Sequence, residues 1–157
     1  MKKFEVNKHK QIISWLVVIL WMTLIFYLSS QPVYQSNNLS KKITEVIVGT
    51  VKKTSPNIDF NIARINYILR KNAHFFAYLV LGLLMMNASR RNGISGTKLV
   101  LLSLGICVFY AISDEIHQLF VPGRGGQVKD VLIDSAGAIV GIGVYELVNR
   151  LRKMNKV

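Results

Sequence analysis

Four stretches of this chain are apolar along their whole length, not on one face only. They run from about Ile12 to Leu28, Ala73 to Ala88, Leu99 to Ile116 and Val131 to Val148. A helix needs about 20 largely apolar residues to cross roughly 30 Å of hydrocarbon, and each stretch approaches that length. Only the first is a clean run. The second is short, and the third and fourth carry acids at one end, so those ends must be covered by protein or sit at the interface. Between the first two stretches the pattern becomes one-sided. Ser40 to Lys53 sets Ile43, Val46, Ile47, Val48 and Val51 among Lys41, Lys42, Lys52 and Lys53, which predicts an amphipathic helix with Ser40 as its cap. Ser55-Pro56-Asn57 breaks it. Asp59 to Lys71 is a second amphipathic stretch, with Ile62, Ile65, Ile68 and Leu69 on its apolar side. Two readings of these stretches stand side by side: they lie on the outer leaflet against anionic headgroups, or they pack on the bundle with one face in water. The pattern predicts an all-α, integral membrane four-helix bundle with amphipathic extracytoplasmic helices between spans 1 and 2. It forms a single domain over residues 1–157.

A net charge of +12 would suit nucleic acid if it were clustered on a soluble fold, but its distribution follows the spans. Lys2, Lys3, Lys8 and Lys10 precede the first span, Arg90, Arg91 and Lys98 lie between the second and third, and Arg150, Arg152, Lys153 and Lys156 follow the fourth. Only Glu5 and Glu146 offset them. The positive-inside rule then places both termini and the middle loop in the cytoplasm. The segments Gln31 to Asn72 and Gln118 to Asp130 face outward, and no nucleic-acid partner is expected. The first span resembles a signal peptide in its basic start. Its apolar run is longer than usual, however, and Ser29-Ser30-Gln31-Pro32 is a poor cleavage site, so a retained anchor is expected. The single cysteine, Cys107, lies mid-span and reads as core, which excludes an internal disulfide and any cysteine-based metal or redox motif.

The polar residues that interrupt the spans carry the chemical interest. Charge inside a bilayer costs about 2.5–3.5 kcal/mol per residue on translocon scales, so its presence calls for a use. Asp114 stands three residues from His117 and four from Gln118, which puts them on one helical face. Asp130 and Asp134 are four apart, and Gly137 and Gly141 extend the same stripe. Gly137-x-x-x-Gly141 permits close helix contact in a membrane. On the second span Arg70, His74 and Tyr78 are spaced by four. Pro122-Gly123-Arg124-Gly125-Gly126 predicts a turn that brings the polar ends of spans three and four together. Imidazoles from His74 and His117, with Asp114, Glu115, Asp130 or Asp134, could hold a divalent ion such as zinc or manganese, although no tight ligand spacing marks a metal motif. The same groups could act as general acid and base. Arg70, Lys71 and Arg124 could hold a phosphate or carboxylate. Singly, each has a plainer reading: interfacial packing for His74, snorkelling anchors for Arg70 and Lys71, a fold-locking salt bridge to Arg124 for the acids. Trp15, Trp21 and Tyr110 read as core or interface belt.

These residues also carry a resemblance. Arg70-Lys71-Asn72-Ala73-His74-Phe75-Phe76-Ala77-Tyr78 resembles the Lys-x-x-His-Phe-x-x-Tyr signature of VanZ-like membrane proteins. The run Asp114-Glu115-Ile116-His117-Gln118-Leu119-Phe120-Val121-Pro122-Gly123-Arg124 resembles that family's Asp-Glu-x-His-Gln-x-Phe-x-Pro-x-Arg block. Asp130-Val131-Leu132-Ile133-Asp134-Ser135-Ala136-Gly137 is similar to its Asp-x-x-x-Asp-x-x-Gly block, and Ser29-Ser30-Gln31-Pro32 fits as well. The blocks follow one another in order over about residues 12 to 148. The resemblance implies a bacterial cytoplasmic-membrane protein and a link to tolerance of teicoplanin, a lipid-tailed glycopeptide antibiotic acting at the outer leaflet. It supplies a topology and a context, and no reaction.

The expectation is an outward-facing polar site that binds an amphiphilic envelope molecule: a lipid-linked wall precursor, a phospholipid headgroup or a lipoglycopeptide. Whether the site also modifies that molecule stays open. As an enzyme it would be a membrane-embedded hydrolase or transferase. His117 or His74 would serve as acid or base, Asp114, Glu115 and Asp134 would orient it or hold a metal, and Arg124, Arg70, Lys71, Gln118, Asp130 and Tyr78 would contact the substrate. The rivals are a non-enzymatic protein that sequesters its ligand or simply pins three helices together, and a small transporter with the acids as a proton relay. Four spans without an inverted repeat argue against a transporter unless a homo-oligomer forms through the glycine face.

Overall fold

The structure, a computed structural model, describes residues 8–32, 34 and 61–155. Among these residues lie four helices: α1 (Lys8–Ser29), α2 (Ile62–Arg91), α3 (Gly96–Gln118) and α4 (Val128–Met154). No strand occurs among the described residues. All four helices are long and apolar enough to cross a membrane. The amphipathic helix expected over Ser40 to Lys53 lies outside the described residues.

Each helix runs past the apolar stretch that predicts it, and α2 does so most. The second amphipathic stretch is no separate surface helix: from Ile62 onward its residues are the opening turns of a 30-residue helix that continues into the second span. The Asn61 side chain caps this helix, accepting from the Arg64 N–H at 3.0 Å. Neither proline nor glycine occurs between there and Gly82, so nothing interrupts propagation. Charges at Arg64, Arg70 and Lys71 interrupt the apolar pattern without interrupting the helix. At about 1.5 Å per residue α2 is roughly 45 Å long, more than the hydrocarbon requires, so its first turns reach into the interface. It ends at Asn92 and at Gly93, whose φ of 83° suits glycine.

Helix α2 is the hub, packing most extensively on α4 and also on α1 and α3. Inside a bilayer close packing must hold helices together, because lipid tails are as apolar as leucine. The α2–α4 seam supplies it. A Cβ on Gly137 would fall on the Phe75 carbonyl oxygen, and one on Gly141 on that of Leu79. In the other direction, a Cβ on Gly82 would lie 2.6 Å from the Ala138 carbonyl oxygen. Above this seam Tyr78, Leu81, Met85, Cys107, Ala111 and Ala138 form a core with Val18 and Ile25 of α1. Helix α1 is further pinned by Trp21, whose indole N–H donates to the Ala77 carbonyl at 2.9 Å. The Tyr110 hydroxyl donates to the Met22 carbonyl at 2.5 Å.

Two contacts fix the ends. The Gln11 amide donates to the Arg91 carbonyl at 2.7 Å, joining the start of α1 to the end of α2. Arg124, in the α3–α4 loop, reaches the Leu28 carbonyl at 3.4 Å near the end of α1. One end of the bundle therefore gathers the last turns of α1 and α3, the first turns of α2 and α4, and the α3–α4 loop. The opposite end carries Lys8, Lys10, Arg90, Arg91, Lys98, Arg150, Arg152 and Lys153.

Candidate functional site

The polar residues predicted on three helices meet at the first of these ends. Asp114, Glu115 and Gln118 come from the last turns of α3, Arg70, Lys71 and His74 from the first half of α2 with Tyr78 just past its middle, and Asp130 and Asp134 from the first turns of α4. The glycine seam makes this possible: with no side chain at Gly137, the α4 backbone lies against Phe75, and Asp134 one turn earlier is carried beside His74. Asp134 is fully buried and Asp114 is 2% exposed.

Two layers can be distinguished. The deeper one contains His74, Asp114, Glu115 and Asp134, each offering a donor atom within 4.8 Å of the others'. His74 Nδ1 stands 3.3 Å from Asp134 Oδ1. Glu115 is the best satisfied acid. One oxygen accepts the Gln127 backbone N–H at 2.7 Å, capping the start of α4, and the other accepts from the Gln118 amide at 3.3 Å. The same amide reaches Asp114 Oδ2 at 3.3 Å. By contrast, Asp134 Oδ2 and the buried Tyr78 hydroxyl have no hydrogen-bond partner, and Asp134 Oδ1 has the His74 imidazole alone beside it. Ser29 lies beside Asp114, and Tyr78 interacts electrostatically with both Asp114 and Asp134.

The outer layer is a small pocket of about 90 Å³. Its charged walls are Arg70, Arg124, His74 and Asp130, with Gln118, Gln127 and the loop glycines Gly123 and Gly125 completing it. Gly123 has a φ of 75°, and a Cβ on Gly126 would lie 2.7 Å from the Glu115 carbonyl oxygen, so the turn both bends and presses close to α3. Asp130 is already engaged, since it pairs with Lys71 across the α2–α4 seam in a buried ion pair. The Lys71 ammonium also sits 5.1 Å from the centre of the Tyr67 ring. Arg70 and Arg124 form no ion pair among the described residues. Burial and the facing Arg70 charge hold the Arg124 guanidinium below its ordinary pKa range. Two guanidiniums around one cavity, with its one lining carboxylate already paired to Lys71, favour an anion there.

The structure sorts the sequence candidates by neighbourhood. His74 belongs to both layers. His117 packs its ring against Phe26 at 4.2 Å, beside the cluster, and its Nδ1 is buried without a partner. Lys71 and Asp130 face each other, which leaves Arg70 and Arg124 as the cations open to a ligand. Tyr78 is fully buried, with its ring centre 6.1 Å from that of Tyr110, and it lies behind the cluster, not among the pocket's walls. Two participants were not singled out from the spacing of polar residues. Gln127 sits in a loop where no periodicity points to it. Ser29 lies at the end of an otherwise apolar span, where only the Ser29-Ser30-Gln31-Pro32 motif points to it.

The motif blocks that converge here are those of a known family, and the chain matches the VanZ/LLP1 family model over residues 14–149. It belongs to the VanZ/LLP1 family. The match takes in all of α2 and α3 and most of α1 and α4. This VanZ-like chain is therefore a multi-pass membrane protein, and the family name carries a link to glycopeptide resistance. Comparison with curated proteins and with solved structures returned no match.

Proposed function

We propose that the site end faces outward and binds the anionic headgroup of an amphiphilic envelope molecule: a lipid-linked wall precursor, a phospholipid or a lipoglycopeptide. The observation that carries this reading is the pocket walled by Arg70 and Arg124, neither of which forms an ion pair among the described residues, while the Asp130 carboxylate in the same wall is paired with Lys71. An oxyanion held between two guanidiniums gains charge-assisted hydrogen bonds of about 1.5–3 kcal/mol each. Its lipid tail would lie along the apolar surface that the helices expose at this end, where Phe120 and Leu119 project from the turn after α3. The outward direction follows from the exposed lysines and arginines at the opposite end, which the positive-inside rule assigns to the cytoplasm. A catalytic version is favoured by one further observation: His74 is shared between the pocket and the buried cluster, so the bound headgroup meets the cluster's chemistry there. As an enzyme the chain would be a hydrolase or transferase of a lipid-linked substrate.

Native mass spectrometry of the full chain in mild detergent tests the binding. The probes are a polyprenyl phosphate, phosphatidylglycerol and uncharged diacylglycerol. One molecule of an anionic probe should be retained, with retention about tenfold or more weaker in Arg70→Gln/Arg124→Gln, in keeping with the loss of about 1.5 kcal/mol or more. Equal retention of diacylglycerol, or an unaltered double variant, would overturn it. Direction is read separately with a membrane-impermeant maleimide on intact cells. Gly125→Cys should label and Asn155→Cys should not, while the buried Cys107 stays silent.

A further inference from the structure

The deeper layer poses a charge problem that the anion pocket does not solve. Three carboxylates, Asp114, Glu115 and Asp134, meet one imidazole, His74, inside a bundle that stands in a membrane. Lys71, the one buried lysine among the described residues, is taken by Asp130. Uncompensated buried carboxylates cost several kcal/mol each, so they carry a proton or a cation. Their arrangement favours the cation. Donors from two elements would suffice for a salt bridge, but here three helices converge. Asp134 is fully buried, with His74 Nδ1 3.3 Å from one oxygen and no hydrogen-bond partner on the other. Carboxylic acids gathered merely as neutral groups would be expected to donate to one another or to the nearby Tyr78 hydroxyl. That hydroxyl is without a partner.

We propose that His74, Asp114, Glu115 and Asp134 form a binding site for one divalent first-row transition ion, zinc or manganese. One nitrogen and three oxygen donors suit these ions, whereas magnesium and calcium favour all-oxygen shells. Ligands about 2.0–2.2 Å from a tetrahedral ion lie roughly 3.4 Å apart, so donors now within 4.8 Å of one another need to move inward by under about 1 Å each. Glu115 is fixed for this role by the Gln127 N–H and the Gln118 amide, which orient its carboxylate from outside the cluster. A doubly charged ion with neutral His74 reduces three negative charges to one. The inference rests on the proposed headgroup site above it, and deepens it: His74 also walls the pocket, so an ion at the cluster lies beneath the anion and shares its attraction for phosphate oxygens with Arg70 and Arg124.

The test uses the full chain in mild detergent, stripped with chelator and then titrated with Zn²⁺, Mn²⁺, Mg²⁺ and Ca²⁺ separately. Bound metal is read by mass spectrometry, and bound Mn²⁺ by electron paramagnetic resonance. One equivalent of Zn²⁺ or Mn²⁺ should bind to the wild type and to Glu146→Gln, a carboxylate at the opposite end. Affinity should fall at least tenfold in Asp134→Asn and in Asp114→Asn, which keep side-chain shape. A nitrogen coupling to bound Mn²⁺ should vanish in His74→Gln. Helical circular dichroism and a monodisperse elution profile confirm that each variant is folded, and Asp114→Asn provides the reading should Asp134→Asn not fold. No stoichiometric ion, binding of Mg²⁺ or Ca²⁺ alone, or equal affinity in the isosteric variants would each overturn the site and leave a proton-neutralised cluster. The two proposals fail separately. Metal bound without retention of an anionic lipid sinks the headgroup reading alone, and lipid retained by metal-free protein with no metal affinity sinks this one alone.

Discussion

The two ends of the bundle hold charge in opposite ways. At the basic end the lysines and arginines stand at the protein surface, Arg90 alone of them half-buried, and no ion pair forms there among the described residues. At the other end Lys71, Asp114, Glu115, Asp130 and Asp134 are all buried. Exposed charges contribute little to folding, with a median near 0–1 kcal/mol even when paired. Buried ones cost several kcal/mol each and must be answered by a partner, a proton or an ion. The same residue types therefore do different jobs: at one end they set direction across the membrane, at the other they tie helices together and build a site. The glycine seam divides the two regimes, since it brings α4 close enough to α2 for Asp130 to meet Lys71 and Asp134 to meet His74.

The largest effect that would break this contrast is expected at the buried pair. Lys71→Met leaves Asp130 buried and alone, and should destabilise the bundle by about 3–5 kcal/mol. Lys71→Met/Asp130→Leu should recover much of that loss, because it removes both charges. Unfolding in mixed detergent, followed by circular dichroism, gives both values. A loss below about 1 kcal/mol in the single variant would mean that the pair is solvated and that the two ends do not differ in kind. Next in size is the seam. Gly137→Ala drives a methyl onto the Phe75 carbonyl and should cost about 1–3 kcal/mol, the usual range for overpacking. Gly143→Ala on the same helix meets open space and should be neutral, or stabilising by about 0.5–1 kcal/mol through helix propensity. Equal effects at the two glycines would show that α4 does not lean on α2 through its Gly137 face.

How much of this was legible in the chain follows the same division. The four spans were readable because apolar runs need no partner to be recognised. The close approach of α4 was foreshadowed by Gly137-x-x-x-Gly141, and the gathering of acids by spacings of three and four. The extent of α2 was not readable, since Arg64, Arg70 and Lys71 lower the apolar average just where Asn61 starts a helix that nothing interrupts. Nor could spacing choose between His74 and His117, or show that Lys71 and Asp130 answer each other while Arg70 and Arg124 form no ion pair among the described residues. Those outcomes depend on which faces α2, α3 and α4 turn to one another, a property of the assembled bundle and not of any one helix.

The smallest effect is expected at the basic end, and it sharpens the contrast most. Lys98 stands exposed in the first turn of α3, where the helix dipole disfavours a cation. Arg150 is exposed on α4 and forms no ion pair among the described residues. Lys98→Gln/Arg150→Gln should therefore change folding stability by no more than about 0.5 kcal/mol, and the Lys98 component should be slightly favourable. A cation that does nothing for its own helix has its reason elsewhere, in the orientation of the chain during insertion. In the Gly125→Cys background the same double change should lower the fraction of chains labelled by an impermeant maleimide, while the protein that is labelled keeps wild-type stability. A stability loss above about 1 kcal/mol would place these charges in the packing and erase the distinction between the two ends. Unchanged labelling would show that the remaining lysines and arginines suffice to set direction.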